Sequence, residues 1–194
     1  MPRWVLVSAV VAALASFAGG ALVGSRSMAG ASAPGLARST ASSHVVQPQP
    51  RAGSCHASAT GLLALPDARC TPGAVAPAVT QANIGRTICR AGYSESVRPS
   101  ESVTEREKRA SLSAYGDHKP LHAYEYDHLV SLELGGAPND ARNLWPEPGA
   151  SPNSKDMLEN RLHRRVCDHQ MTLAAAQLAI ARNWVAAYHR FVAP

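Results

Sequence analysis

The chain has 194 residues, of which 45% are hydrophobic and 17% are charged, and its formal net charge is +5. This length and apolar content fit one folded domain with an appendage, and they exclude a chain too polar to form a core. The net charge is no evidence for nucleic-acid binding by the domain, because four of the nineteen basic residues lie in the first 51 residues, where no acid occurs, which leaves fifteen bases against fourteen acids.

The first segment has the pattern of an export signal. A short positive start at Met1–Arg3 precedes an apolar stretch over 4–15, and no further charge occurs before Arg26. This pattern predicts a secretory signal peptide within residues 1–33. The alternative is an uncleaved N-terminal anchor, because the uncharged run over 4–25 is long enough to span a bilayer. Both interpretations predict a secreted or extracytoplasmic protein, and only the anchor predicts stable membrane association.

The next segment, residues 34–60, is rich in Ala, Ser, Gly and Pro. Such a segment has too little bulky apolar surface to offset the entropy of ordering, so we predict a disordered linker. The folded domain is then expected over residues 61–194.

The cysteines fit an exported protein. Cys55, Cys70, Cys89 and Cys167 form no Cys-x-x-Cys pair, which disfavours a zinc ribbon, and their even number behind an export signal predicts two disulfides. Three pairings are open, and buried free thiols are the alternative. A bond between Cys89 and Cys167 would close a long loop and contribute roughly 4 kcal/mol in the chain-entropy model.

The elements before the central motif are short. A turn is predicted at 70–73, a short element at 80–84 and a short strand over 86–90. The spacing of Ser102 and Glu105 is that of a capping box, and it predicts a helix that runs from there to about Tyr115.

The central region predicts a strand, a loop, a second strand and a helix. Alternating tyrosines indicate a strand over 123–127, and the Gly-Gly pair at 135–136 lies in the loop that follows. A second short strand is predicted over 143–145, ended by the prolines that follow, and then a helix over 153–166. A last amphipathic helix is predicted over 172–191.

Hydrolysis of a phosphodiester needs a base for water and a Lewis acid near the phosphate oxygens. His128 is a candidate base, because an imidazole with an unperturbed pKa of roughly 6.5 is largely neutral near pH 7. Asp127 offers a hard oxygen ligand for a divalent metal, and in a strand its side chain points to the face opposite His128. Asn153, at the start of the helix, offers a second and neutral ligand.

In this order Asp127-His128, the Gly-Gly pair, Asn143-Leu144 and Asn153 resemble the motif of the HNH, or ββα-metal, endonucleases over about residues 124–166. The resemblance implies that Asp127 and Asn153 bind the metal ion. It also implies that His128 activates water and that Asn143 holds the loop bearing the His in place.

Further site residues are expected around this motif. The resemblance implies that Lys155 lies near the phosphate, and we expect Arg142 to contact the substrate as well. Asp156, Glu159 and His163 are alternatives for the last metal ligand, since a carboxylate or an imidazole is a better ligand than an amide.

The sequence therefore predicts an α+β fold with an HNH-like ββα core over about 123–166, flanking helices and disulfides. The expected function is that of an exported endonuclease that hydrolyses DNA, or RNA, through backbone contacts with little sequence preference. One divalent ion is expected, Mg²⁺ or Mn²⁺ ahead of Zn²⁺ or Ni²⁺. The alternatives are a non-catalytic envelope or interaction module that keeps this fold, and a secreted phosphodiesterase with another substrate. The sequence predicts no particular oligomeric state.

Overall fold

The computed structural model describes Met1, residues 35–58 and residues 62–193. Apart from Met1, the predicted signal peptide or anchor over residues 1–33 lies outside the described residues. Among the helices that are described, none combines the length and the apolar character that a membrane span requires.

The domain is a mixture of helices and short strands, so the predicted α+β class is confirmed. Its elements are, in chain order, β1 (Ala37–Arg38), β2 (Ala74–Val75), α1 (Tyr93–Val97), α2 (Glu101–Tyr115), β3 (Tyr124–His128), β4 (Leu144–Pro148), α3 (Ser154–Cys167) and α4 (Leu173–Phe191). Short 3-10 turns cover Gln81–Arg86, Leu121–Ala123 and Leu132–Leu134. The strand, strand, helix order of β3, β4 and α3 is the order that the sequence predicts.

Strands β3 and β4 pair in antiparallel register, with His128 opposite Leu144 and Asp127 opposite Trp145. Strand β4 is longer than predicted, because it continues through Pro146 to Pro148. Among the described residues this sheet has two strands, so each strand has one unpaired edge, and a proline can lie where its missing N–H would face away from the partner. Because side chains alternate along a strand, His128 and Asp127 lie on opposite faces of the hairpin.

The three long helices agree with the sequence patterns. Helix α2 is present, but the capping box predicted at Ser102 is wrong, because the helix begins at Glu101 after the N-cap Ser100; the left-handed Gly116 (φ 68°) follows its last residue. Helix α3 packs on α4, while α2 packs on β4. Trp145 is completely buried, as are Leu158 and Leu162 on the inner face of α3, so the hairpin and α3 share one core.

Two disulfides are present, as predicted. Cys55 bonds to Cys70 with a Cα separation of 6.0 Å, and Cys89 bonds to Cys167 with a Cα separation of 5.6 Å. The second bond ties the segment before α1 to the last residue of α3. Disulfides are typical of proteins that fold in oxidising compartments.

Residues 35–58 differ from the predicted disordered linker. Strand β1 pairs in parallel with β2, the Asn139 amide donates to the Val45 carbonyl at 2.8 Å, and the Gln47 N–H donates to a Glu107 carboxylate oxygen at 2.6 Å. The segment is ordered by hydrogen bonds to residues roughly 60 to 95 positions away and by a disulfide. The composition of the segment does not reveal these distant partners, so the sequence alone predicted disorder.

The predicted strand over 86–90 is wrong. A 3-10 turn over Gln81–Arg86 occupies its first position, and the Cys89 N–H donates to the Ile84 carbonyl at 2.9 Å. The local turn satisfies these backbone groups, so no neighbouring strand is needed.

Candidate functional site

The loop after β3 is held by one buried side chain. Asn143 is 0% exposed, and its Oδ1 accepts hydrogen bonds from the Val130 N–H at 3.0 Å and the Ala74 N–H at 3.3 Å. Its Nδ2 donates to the Val130 carbonyl at 3.0 Å and the Ala137 carbonyl at 3.1 Å. These four bonds use the full capacity of a side-chain amide. Asn143 therefore fixes the loop that follows His128. This is the role that the resemblance implies for Asn143.

The Gly-Gly pair is required by the same loop. A Cβ atom on Gly136 would lie 1.7 Å from the Val130 carbonyl oxygen. Gly135 has a φ of +70°, and a Cβ there would lie 2.7 Å from the Val79 side chain. Only glycine allows both the close approach and the left-handed backbone.

His128 ends β3 and is only 6% exposed. Its Nε2 lies 2.9 Å from the Pro138 carbonyl oxygen. Burial lowers the pKa of His128 to about 4, so the ring is neutral at pH 7. A carbonyl can only accept a hydrogen bond, so the proton is on Nε2 and the lone pair on Nδ1. This imidazole can accept a proton from water.

His128 lines an open cleft of about 540 Å³ between β3 and the start of α2. Three basic side chains line the cleft, those of Arg98, Lys108 and His122. Three acidic side chains line it as well, those of Glu101, Glu105 and Glu125. The Arg98 side chain is exposed, and its charge is one of the smaller influences that lower the pKa of His128. The cleft thus places an exposed arginine on the same surface as the neutral imidazole.

Asp127, on the other face of β3, is ion-paired in the interior. The Lys155 ammonium lies 2.5 Å from Asp127 Oδ2, donates to the His128 carbonyl at 2.8 Å and also pairs with Glu159. Lys155 is 1% exposed. Burial lowers its pKa, but the carboxylates of Asp127 and Glu159 more than offset this, and the net shift is upward. The structure therefore places Lys155 in the core, not at the phosphate-facing position that the resemblance implies.

Two further carboxylates share this face. Glu125 and Glu147 are directly opposite each other across the strands, and Glu147 is 2% exposed. Burial, followed by the Asp127 charge, raises the pKa of Glu147 and that of Glu125, the latter to about 7. In each, the buried Oε2 has no hydrogen-bond partner among the described residues. We call Glu125, Asp127, Glu147 and Glu159 the acidic cluster.

Sequence reasoning missed Glu147 because it ended the second strand before this residue. Two signals could have found it. Glu125 and Asp127 are two positions apart in a predicted strand, so they share a face. A second strand that continues past Pro146 adds Glu147 to that face.

Asn153 is the N-cap of α3. Its Oδ1 accepts from the N–H groups of Lys155 at 2.7 Å and Asp156 at 3.2 Å, while the Asp156 carboxylate accepts from the Asn153 N–H at 2.7 Å. This reciprocal arrangement is a capping box. Both lone pairs of the amide oxygen are used, and Asp156 also accepts from Ser151. Asn153 therefore has no lone pair left for the metal ion predicted there, and the Oδ2 atom of the alternative ligand Asp156 is taken by the cap.

Replacing Asn153 with alanine is expected to lower the free energy of unfolding by about 1 kcal/mol, because the cap of α3 is lost. Asn153→Ser should retain most of the stability, since serine is also a good cap. Chemical denaturation measures both variants, with Asn160→Ala, an exposed position in the same helix, as the control. A Ser variant as unstable as the Ala variant would contradict the capping role.

The other predicted residues lie elsewhere. His163 Nε2 is 2.9 Å from the Ile88 carbonyl oxygen, and ligand atoms of His163, Cys89 and Cys167 lie within 4.8 Å of one another. The two sulfurs are bonded to each other, however, so they are not thiolate ligands. Arg142 pairs with Asp140 at 2.7 Å and is not among the residues that line the cleft.

The acidic cluster fits a hard divalent cation in part. All its donors are oxygens, which Mg²⁺ and Mn²⁺ prefer, and the buried Oε2 atoms of Glu125 and Glu147 have neither a hydrogen-bond partner nor an ion pair among the described residues. Glu125 and Glu147 therefore have oxygens that suit such an ion, whereas Asp127 is already paired with Lys155 and the Asn153 oxygen caps α3.

Comparison with known proteins identifies no family for this chain. The resemblance to HNH endonucleases rests on the order of Asp127, His128 and Asn143 and on the strand, strand, helix succession that carries them. No protein-family model, curated protein or solved structure matches the chain.

Proposed function

We propose that the protein is an exported, metal-dependent endonuclease of the HNH type that hydrolyses phosphodiester bonds in DNA. The observation that carries this proposal is the state of His128. A neutral imidazole, held by the Pro138 carbonyl at 2.9 Å, lines a cleft of about 540 Å³ beside an exposed arginine. A general base for water needs this combination of neutrality, fixed orientation and access.

Each residue near the cleft has a distinct task in this proposal. His128 Nδ1 accepts the proton of the attacking water, while the Pro138 carbonyl fixes the ring through Nε2. Asn143 keeps the loop after His128 in one conformation through its four hydrogen bonds. Arg98 attracts the phosphate. A divalent ion, when bound, would act as a Lewis acid toward the phosphate oxygens.

The charge distribution supports binding through the phosphate backbone with little sequence preference. Residues 101–168 carry twelve acids and nine bases, so the protein itself offers little net attraction to DNA. Arg98 and Lys108 line the cleft, and contacts between such cations and phosphates carry no base information. With only two such cations, affinity should fall only modestly as the salt concentration rises.

Export is part of the proposal. It is supported by the two disulfides, which an oxidising compartment maintains, and by the signal-like pattern of residues 1–33.

The proposal is tested with purified, oxidised protein and supercoiled plasmid DNA. We expect conversion to nicked and then linear DNA in Mg²⁺ or Mn²⁺, and no conversion in excess chelator. Cleavage that persists in chelator would overturn the metal requirement. The His128→Ala variant, described in the Discussion, tests the base.

A second candidate is a non-catalytic interaction module with the same fold. It is favoured by the engagement of Asp127 with Lys155 and of Asn153 with the start of α3. Such a protein would leave plasmid DNA intact in every metal. A secreted phosphodiesterase for another substrate would instead hydrolyse bis(p-nitrophenyl) phosphate without nicking DNA.

A further inference from the structure

The ring of His128 is oriented by a backbone carbonyl in the loop after β3. The Pro138 carbonyl oxygen lies 2.9 Å from Nε2. This carbonyl and the N–H of Asn139 belong to the same planar peptide group, so any rotation of the backbone at Asn139 redirects the carbonyl. On the preceding side, Asn143 holds the Ala137 carbonyl at 3.1 Å. The following side of the loop needs a support of its own.

The side chain of Asn139 provides that support. It is 1% exposed, and its Nδ2 donates to the Ser42 carbonyl at 2.7 Å and to the Val45 carbonyl at 2.8 Å. Both hydrogens of the amide are therefore used. We call residues 42–49, which supply these acceptors, the strap. The loop that carries the Pro138 carbonyl is thus tied to the strap.

The strap is itself held by hydrogen bonds to the elements around His128. Val45 is 58% exposed, so the burial of this apolar side chain contributes little. The Gln47 N–H donates to a carboxylate oxygen of Glu107 at 2.6 Å, and Glu107 lies completely buried in α2. The Gln49 side-chain amide donates to the Tyr126 hydroxyl in β3 at 3.2 Å. The strap therefore joins α2, β3 and the loop.

We propose that Asn139 is a positioning residue for His128, and that the strap, acting through Asn139, keeps the Pro138 carbonyl directed at Nε2. This inference rests on the proposed function, because it concerns the orientation of the base. A held ring keeps Nδ1 in one orientation, whereas a ring that turns freely has Nδ1 in that orientation for only part of the time. Misplacement of a reacting group by about 1 Å can lower a rate about 10²-fold.

A purely structural role for Asn139 predicts a different result. If Asn139 only fastened the strap, its loss would lower the stability of the protein and leave the bond between His128 Nε2 and the Pro138 carbonyl intact. The two roles are therefore separated by the state of the His128 ring.

The test is the exchange of the His128 Nε2–H with water, measured by heteronuclear NMR at neutral pH without DNA or metal. We expect Asn139→Ala to speed this exchange by about tenfold or more, because the proton loses its fixed acceptor. His163 is an internal reference, since its Nε2 lies 2.9 Å from the Ile88 carbonyl oxygen. Exchange at His163 should stay unchanged.

The matched control is Asn83→Ala. The Asn83 Nδ2 also donates to a backbone carbonyl, that of Ala78 at 2.8 Å, but in a different turn. This variant should lose stability and keep the wild-type exchange rate at His128.

A second variant releases the strap and leaves Asn139 in place. Glu107→Leu removes the acceptor of the Gln47 N–H and places an apolar side chain in a buried position. We expect the same faster exchange at His128. The wild-type exchange rate in folded Asn139→Ala would overturn the proposal. If Asn139→Ala failed to fold, the wild-type rate in Glu107→Leu would overturn it instead. Circular dichroism establishes that the variants are folded.

Plasmid cleavage separates this inference from the proposed function. We expect Asn139→Ala to lower the single-turnover rate by about 10²-fold, with little change in the DNA concentration that gives half the maximal rate. Faster exchange at His128 in Asn139→Ala, combined with a wild type that does not cleave DNA, would refute the nuclease alone. Cleavage by the wild type, combined with unchanged exchange in Asn139→Ala, would refute only the positioning role.

Discussion

Replacing Lys155 with alanine is expected to lower the free energy of unfolding by about 3–5 kcal/mol, the usual cost of removing one partner from a buried ion pair. The ammonium is 1% exposed and neutralises Asp127 and Glu159. It also donates to the His128 carbonyl. The variant would leave buried carboxylates without a counter-charge at the junction of β3 and α3. Denaturant unfolding in chelator measures the loss.

Arg164→Ala is the matched control, because Arg164 is an exposed cation on the same helix, and its loss should leave stability nearly unchanged. The pH dependence gives a second check. Without the ammonium, the carboxylates bind protons more readily in the folded state, so the difference between wild type and Lys155→Ala should shrink as the pH falls. A loss below about 1 kcal/mol would match an exposed ion pair and contradict the buried one.

His128→Ala is expected to reduce DNA cleavage by about 10²–10⁴-fold, the usual contribution of a general base. The reason is specific to the ring, since Nε2 is held by Pro138 and only Nδ1 can accept the proton of water. The measurement is the single-turnover rate on plasmid DNA at saturating metal. His122→Ala, an exposed histidine of the same cleft, should cleave at close to the wild-type rate.

The pH dependence of cleavage and of stability should also differ between the wild type and His128→Ala. The base must be unprotonated, so wild-type cleavage should fall as the pH drops through about 4, the pKa of buried His128. The unfolded histidine titrates near 6.5. The unfolded state therefore binds more protons between these values, and the wild type loses stability there on acidification. His128→Ala should lack this contribution. Equal cleavage rates for the two proteins would refute the proposed role.

Much of the fold could be predicted from local patterns. Helices α3 and α4 were predicted within one residue at each end, because their apolar spacing marks them. The hairpin strand β3 was also placed correctly. The end of β4 was not, because Pro146 and Pro148 usually stop strands and only the two-stranded sheet tolerates them.

The candidate site could be predicted less completely. The positions of His128 and Asn143 could be predicted, because both residues belong to a motif that spans a short stretch of the chain. The burial of Lys155 does not, because a lysine at the start of a helix is usually solvated. The burial of Lys155 depends on three carboxylates, of which Asp127 and Glu147 lie on other elements. Only tertiary structure brings them together.

The two disulfides differ in when they can form. Synthesis proceeds from the N-terminus, so Cys55 and Cys70, 15 residues apart, are available to each other early. Cys89 has to wait for Cys167, which is 78 residues later and ends α3. During that interval its thiol can attack the first bond by thiol–disulfide exchange. Correct pairing is therefore decided late, when α3 is complete and brings Cys167 to Cys89, and a chain truncated before Cys167 would keep a Cys89 thiol that can exchange with the first bond.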